Sequence, residues 1–298
     1  MAQNLGPLVH LWGIDPSQLP AETASGTALT PLLTDLLSEA LPFIDDLPAG
    51  GQDASSSWKF RKTHSYPSSA ASVDVYEKKL PADAMRRVAA AHKKQLPPHV
   101  QASKTAAAET WFLRRSVHED AARSATASWD EFAASFKTHH AESEMAFTAS
   151  VVGTTPRRQW DCSGVAIQLG GETWTDWTLK LEESVHKLPF PLQKRVFPVL
   201  QATAAVEGRR EFVVVQVFYA GGPAPANAQG TVTGAYTSIE RVREIPGEAG
   251  GQSQIEWVMG TASDAMGVLP EFVQALATPD MVSKDVDFFL SWVARQRE

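Results

Sequence analysis

The chain has 298 residues, of which 43% are hydrophobic and 20% charged, as is typical of a globular protein that buries a sizeable core. Its net charge of −7 argues against a nucleic-acid-binding protein, because neutralising phosphates requires clustered Lys and Arg. The single cysteine, Cys162, excludes an intrachain disulfide and indicates a reducing compartment.

The chain contains no sign of membrane insertion or export. No window reaches the ~18 uninterrupted apolar residues of a membrane span, and the first residues lack the basic start and apolar run of a signal peptide. We therefore expect a cytoplasmic protein with no integral membrane insertion and no nucleic-acid partner. Several prolines make residues 1–27 an N-terminal arm, and residues 28–298 are predicted to form a single domain. The sequence leaves the oligomeric state open.

Helical periodicity first occurs over 30–44, where apolar residues recur at i, i+3 and i+4. A second helix is predicted over 81–95, and Ser128 with Glu131 forms a capping box that opens a third. The remaining predicted helices cover 192–200 and the stretch from 268 to the C terminus, which Pro279 divides.

Strands are predicted where apolar and polar residues alternate over a short run, or where the run is rich in β-branched and aromatic residues. Gly170-Gly171 predicts a hairpin turn between two of these strands. They cover 58–66, 72–76, 110–118, 146–152, 163–169, 173–183, 211–219, 232–243 and 254–261. Consecutive strands with helices segregated to the ends indicate an α+β fold rather than a doubly wound sheet. A curved antiparallel sheet around a long C-terminal helix fits this order, and the space between them suits a ligand cavity.

Several separated segments resemble an uncharacterised fungal family within the START-like (SRPBCC) helix-grip superfamily. They are WFLRRSVH at 111–118, HKLPFP at 186–191, TSIERV at 237–242, the stretch 255–265 and KDVDFFLSW at 284–292. The resemblance covers roughly residues 105–296. It implies a helix-grip fold with an internal hydrophobic cavity, and it implies no single activity. The wider superfamily includes lipid carriers, hormone receptors, and cyclases or aromatases.

The sequence contains none of the strong catalytic or metal-binding motifs. Gly-x-Ser-x-Gly, His-Glu-x-x-His, the P-loop and paired Cys-x-x-Cys are absent. His139 and His140 are adjacent, so on a helix their rings point about 100° apart and make poor joint metal ligands. We predict no metal and no cofactor.

The strand predicted over 173–183 has one distinctly apolar face, which we interpret as the wall of the cavity. Candidate ligand-binding residues on this face are Trp177, Leu179 and Leu181. Glu183 ends the same row, where burial would raise its pKa.

Glu183 and the nearby His186 form the first candidate catalytic pair. A carboxylate and an imidazole at the cavity rim are suited to acid–base chemistry. The structural alternative is that Glu183 pairs with an arginine such as Arg241 or Arg195.

The strand predicted over 110–118 carries Arg114 and His118 on one polar face. If this face points inward, Arg114 anchors a ligand and His118 is a further catalytic candidate. If it points outward, both are surface residues. The periodicity leaves both orientations open.

Five more residues are candidates for the cavity. Tyr236 combines an apolar ring with one hydroxyl, which suits an enclosed catalytic site. Gln216 lies between apolar residues, where an inward amide would need a polar partner. Trp257 and Met259 share a strand face and suit either cavity wall or core. Phe289 belongs to the apolar stripe of the C-terminal helix, which we expect to pack on the sheet.

Two functions from different classes fit these observations. The first is a carrier or binding protein that holds a hydrophobic small molecule, such as a lipid or an apolar secondary metabolite. The second is a cofactor-independent cyclase or isomerase that shapes a reactive intermediate in the same cavity, mainly by positioning and desolvation. A third alternative is an interaction protein whose cavity has closed.

Overall fold

The computed structural model describes residues 5–47, 56–102, 106–188, 190, 192–221, 231–247, 251–264 and 279–298. Its helices are α1 Thr30–Asp45, α2 Ala82–Ala91, α3 Pro98–Ala102, α4 Trp129–Phe132, α5 His140–Phe147 and α6 Pro279–Gln296. A π-helical turn, Ala133–Thr138, links α4 to α5. Within these ranges no helix is both long and apolar enough to cross a membrane.

The strands are β1 Lys59–His64, β2 Val73–Leu80, β3 Glu109–Glu119, β4 Val151–Trp160, β5 Ile167–Leu169, β6 Glu172–His186, β7 Lys194–Val206, β8 Glu211–Phe218, β9 Thr231–Thr233, β10 Ala235–Ile245 and β11 Gln254–Asp264. They form one sheet in the antiparallel order β1-β2-β3-β11-β10-β8-β7-β6-β4. Strand β5 adds to β6, and β9 adds to β7 in the parallel direction. The predicted α+β class with a large antiparallel sheet and a C-terminal helix is confirmed.

Helix α1 covers one side of the sheet, here named the α1 face. Pro31 occupies the first turn, where its missing N–H costs no hydrogen bond. The helix contacts β5, β8 and β11, and its apolar side chains join a large buried cluster. Members from the helix and the central strands include Leu33, Leu36, Leu37, Val213, Val215, Leu200 and Ile239. Burying each large side chain contributes roughly 1.5–3 kcal/mol, so this face is a main source of stability.

Helix α6 and the α4–α5 region cover the opposite side, the α6 face. Four aromatic rings meet here, with centroids 5.0 Å apart for Phe132 and Phe289 and 4.7 Å for Phe136 and Trp257. The Ser283 hydroxyl of α6 lies 2.6 Å from the Tyr66 hydroxyl. The apolar stripe predicted for the C-terminal helix is buried on the sheet.

Residues 5–27, which the prolines suggested to be an arm, pack on the α1 face. His10 Nδ1 lies 2.9 Å from Glu109 Oε2 in β3, and the buried Ile14 bridges to Tyr219. Glu39 of α1 accepts hydrogen bonds from two backbone N–H groups of this segment. The segment therefore extends the core of the helix-grip sheet.

Three element predictions were wrong. The helix predicted over 192–200 belongs to β7, because both faces of this strand are buried and its apolar residues show no alternation. The strand predicted over 146–152 is the end of α5 followed by the start of β4. The strand predicted over 163–169 is reduced to the three residues of β5.

Candidate functional site

A cavity of about 140 Å³ lies between the α6 face and helices α5 and α6. Much of its wall is apolar, formed by Phe197, Val199, Met259, Val282 and Phe288. Polar side chains from α5, β6, β8, β10 and α6 are interspersed: Glu144, Ser184, His186, Gln216, Tyr236 and Asp285. This combination of apolar wall and few polar groups is typical of small-molecule sites.

A second, inner pocket of about 40 Å³ adjoins the cavity and shares part of its wall, including Tyr236, Met259 and Asp285. Arg114 and Glu240 form its charged end. The two pockets together are therefore an apolar chamber with an ionic inner end.

Arg114 is 1% exposed and lies against three groups. Its guanidinium carbon is 3.7 Å from the centroid of the Trp257 ring, and Nη2 donates to Glu240 Oε1 at 3.3 Å. Nε lies 3.8 Å from Asp285 Oδ2, which is an ionic contact rather than a hydrogen bond. Among the described residues, Nη1 has no hydrogen-bond partner.

Glu240 links the other members of the ionic end. It accepts a hydrogen bond from Trp257 Nε1 at 2.6 Å, and its second oxygen lies 3.5 Å from His140 Nε2. Burial disfavours the charged carboxylate, but the hydrogen bond to His140 and the charge of Arg114 outweigh it and lower the pKa of Glu240. Burial likewise opposes protonation of His140, yet the contact with Glu240 and further carboxylates raise its pKa.

Two carboxyl groups that face the chamber, those of Asp285 and Glu144, have raised pKa values. Burial, reinforced by Glu144 and Glu240 and opposed by Arg114, raises the pKa of Asp285 to about 7. Burial also raises the pKa of Glu144. The chamber therefore has more carboxyl groups than cations, and it retains protons that exposed carboxylates would have lost.

Ser184 and His186 form a polar pair on the cavity face of β6. Ser184 Oγ lies 3.0 Å from His186 Nε2, and the imidazole packs edge-on against Phe197 at 4.9 Å. Burial lowers the pKa of His186 to about 4, so the ring is neutral at pH 7. Burial raises the pKa of Tyr236 far enough that its hydroxyl stays protonated.

Comparison with known proteins places the chain in a family. Residues 111–293 match the family described as "Protein of unknown function (DUF3074)". The chain belongs to this family. No curated protein matches it.

Solved structures similar to this DUF3074 chain are START and lipid-transfer domains. Human StAR-related lipid transfer protein 5 superposes with a TM-score of 0.55 at 13% identity, covering 90% of this chain and 97% of that one. Human STARD10 gives a TM-score of 0.47 at 12% identity, covering 81% and 74%. A STAR-related lipid transfer protein fragment from Xanthomonas axonopodis gives 0.43 at 12% identity, covering 81% and 99%. At this identity the first likeness shows a common START-like fold.

The cavity of the DUF3074 chain contains four of the residues predicted from its sequence. His186, Gln216, Tyr236 and Met259 line the main chamber. The Gln216 amide has the polar partners that its position required, because it donates to Gln201 at 3.1 Å and accepts from Ser238 at 3.0 Å.

The sequence left open which way the polar face of β3 points. In the structure Arg114 on this face points inward, into the inner pocket. His118 points to the same side but lies in the core, outside the cavity wall. It is 1% exposed, its Nε2 is 2.8 Å from Ser116 Oγ, and burial lowers its pKa to about 3. Trp257 and Phe289 also belong to the aromatic core of this face and do not line the cavity.

The prediction that Trp177, Leu179 and Leu181 line the cavity was wrong, because all three pack in the core of the α1 face. Since α1 covers that side of the sheet, an apolar row on β6 does not identify the cavity side. Moreover, β6 contains a bulge between Thr175 and Thr178, with φ of 50° at Asp176, which changes the alternation.

The predicted Glu183–His186 pair was also wrong. Glu183 lies in a surface groove, where it accepts a hydrogen bond from Arg157 Nη2 at 2.6 Å, whereas His186 lines the cavity. Glu183 does pair with an arginine, as the structural alternative predicted, but this arginine is Arg157 and not Arg241 or Arg195.

Sequence reasoning missed Glu144, Asp285 and Ser184. Asp285 lies between Val282, Val286 and Phe289 on α6, and a carboxylate beside an apolar stripe was a signal that could have been used. Glu144 had no such signal, because α5 has almost no amphipathic pattern.

Proposed function

We propose that this DUF3074 protein binds a hydrophobic small molecule in the chamber between the sheet and α6 and acts as its carrier. The observation that carries the proposal is a chamber with an apolar wall and an ionic inner end, where Arg114 has a buried N–H group with no partner in the described part of the chain. A buried donor without a partner costs about 1–3 kcal/mol, and a ligand acceptor would recover it.

The fold supports the same proposal. Human StAR-related lipid transfer protein 5, which shares this fold, is a lipid-transfer protein by name. We extend to this chain only the broad property of holding an apolar molecule between sheet and helix.

Binding to the folded state predicts thermal stabilisation, worth about 2.7 kcal/mol at a ligand concentration 100 times Kd. The measurement is a thermal-shift screen of the purified chain with cholesterol, phosphatidylcholine, oleate and 4-ethylphenol. Organic extracts of the purified protein are examined in parallel by mass spectrometry. Stabilisation by at least one compound is expected.

A cavity-filling variant supplies the matched control. Val199→Phe places a larger side chain in the chamber wall and should abolish stabilisation while leaving the protein folded. Val152→Phe makes the same change at an exposed position and should bind as the wild type does. Binding that survives Val199→Phe, or a screen in which no compound binds, refutes the proposal.

A second candidate is catalysis in the same chamber, which the neutral Ser184–His186 pair and the protonated Tyr236 favour. A cyclase or isomerase needs few polar groups when positioning and desolvation dominate. Ser184→Ala and His186→Gln would then stop turnover in a protein that still folds. Metabolites of the host with and without this protein distinguish the two functions, because loss of an enzyme removes a product and loss of a carrier changes only amounts or distribution.

A further inference from the structure

The dimensions of the chamber limit what it holds. The main cavity is about 140 Å³ and the inner pocket about 40 Å³. An apolar cavity of about 150 Å³ in another protein takes up benzene, whereas pockets for drug-sized ligands have roughly 300–1,000 Å³. A molecule with a single six-membered ring therefore fills the main cavity, and a sterol or a two-chain lipid exceeds it.

The inner pocket, at about 40 Å³, is far smaller than the cavity of about 150 Å³ that takes up benzene, so it has room for a small polar group and not for a ring. Arg114, whose Nη1 is a buried donor without a partner among the described residues, lines this pocket. The carboxyl groups of Asp285, 3.8 Å from Arg114 Nε, and of Glu144 line the same pocket. A group that enters this pocket is offered both a donor and acceptors.

The charges select among the groups that could enter. Glu144, Glu240 and Asp285 surround the pocket, with Arg114 and His140 as the cations. Glu240 already pairs with Arg114 and His140, so a ligand carboxylate would lose its hydration beside an existing negative charge, and an ammonium has no lone pair to accept from Arg114. A hydroxyl is neutral, accepts one hydrogen bond and donates another, so it matches this set of partners.

We propose that the chamber selects a compact, single-ring molecule whose hydroxyl enters the inner pocket between Arg114 and Asp285. This ligand class rests on the proposed binding function and narrows it to phenols and cyclic alcohols. Phe197 and Met259 contact the ring, and the ionised Glu240 disfavours a ligand carboxylate.

The first test compares four probes by calorimetry: 4-ethylphenol, ethylbenzene, 4-ethylbenzoate and cholesterol. We expect 4-ethylphenol to bind about fivefold or more tightly than ethylbenzene, the factor that one net hydrogen bond supplies. The benzoate should bind most weakly of the single-ring compounds, and cholesterol should not bind. If cholesterol binds and 4-ethylphenol does not, the ligand class is wrong while the proposed function stands. If none of the four binds, and none of the compounds of the thermal-shift screen, both fail.

The second test changes the charges of the pocket. At pH 8, where the carboxyl of Asp285 is mostly ionised, Asp285→Asn and Glu144→Gln keep the shape of the side chains and remove acidic groups, so each should narrow the preference for 4-ethylphenol over 4-ethylbenzoate severalfold. Asp280→Asn, at an exposed position on the same helix, should leave all affinities unchanged. An unchanged preference in both pocket variants, with folding intact, overturns the assignment of the inner pocket.

The third test changes the size of the chamber. Met259→Ala enlarges the wall shared by both pockets and should let 2-naphthol, which has two rings, bind more tightly than it binds the wild type. If 2-naphthol already binds the wild type more tightly than 4-ethylphenol, the size limit is wrong.

Discussion

The two faces of the sheet are both buried, yet they are built differently. The α1 face is a large, mainly apolar core in which α1 and the central strands pack closely, with buried polar contacts such as His10–Glu109 at the N-terminal segment. The α6 face combines an aromatic cluster with the Arg114–Glu240 ion pair, a cavity, and buried polar atoms that have no partner among the residues the structure describes. Because buried charges and cavities reduce stability, we expect the α6 face to contribute less stability for its buried area than the α1 face does.

The largest effect should come from breaking the ion pair of the α6 face. Glu240→Gln removes the carboxylate that accepts the hydrogen bond from the buried Arg114, so we expect a loss of about 3–5 kcal/mol in the free energy of unfolding. Urea denaturation measures it. The double variant Arg114→Met/Glu240→Leu removes both charges and should recover most of the loss. If the double variant is as unstable as the single one, the contribution of Arg114 and Glu240 to the free energy of unfolding is more than the neutralisation of each other's charge.

A similar loss should follow from removing apolar volume on the other face. Leu33 of α1 is fully buried, so Leu33→Ala should cost about 2–5 kcal/mol and leave ligand affinity unchanged. The matched change Met281→Ala, at the partly exposed cavity mouth, should stay within about 0.5 kcal/mol and alter affinity. Equal destabilisation by the two substitutions would contradict the division between a stabilising and a binding face.

Ionisation of Asp285 should make the stability of the α6 face depend on pH. Its carboxyl has a pKa of about 7 when folded and 3.8 ordinarily, so between pH 4 and 7 the folded state binds more protons than the unfolded state. Stability contributed by the protonated form is therefore present at low pH and is lost as the pH rises through about 7.

Asp285→Asn should remove this slope and stabilise the protein at pH 8 by about 1–2 kcal/mol, a figure reduced for the partial exposure of the side chain. Thermal unfolding of wild type and variant between pH 4 and 8 measures the difference. Parallel profiles would show that Asp285 does not retain its proton in the folded protein.

The sequence predicted the class of the fold and most elements because period and capping are local. Helix α1, the C-terminal stripe and the strands around Arg114 and Tyr236 follow from side chains a few positions apart. Which face of a strand points inward, and which residues its side chains contact, depend on residues far apart in the sequence. Arg114 meets Glu240 from 126 residues away, and only this pairing decides that the polar side of β3 turns inward.

The same limit explains the errors on β6 and β7. Where helices cover both faces of a sheet, apolar rows occur on either side, so Leu179 and Leu181 could not be assigned from hydrophobicity. The bulge before them depends on tertiary packing. On the α6 face a functional wall is recognised by mixed polarity, as at Ser184 and His186, rather than by an apolar row.

The smallest effect should come from breaking the ion pair between Arg157 and Glu183. Arg157 is half exposed, so its ion pair with Glu183 should contribute about 0–1 kcal/mol, and Arg157→Ala should leave both unfolding and ligand binding nearly unchanged. His186→Gln, three residues after Glu183 on β6, should change ligand affinity because the side chain of His186 lines the cavity. Measured together by denaturation and calorimetry, the two variants test the assignment of faces on β6. Weakened binding in Arg157→Ala with none in His186→Gln would place the site on the other side of the sheet.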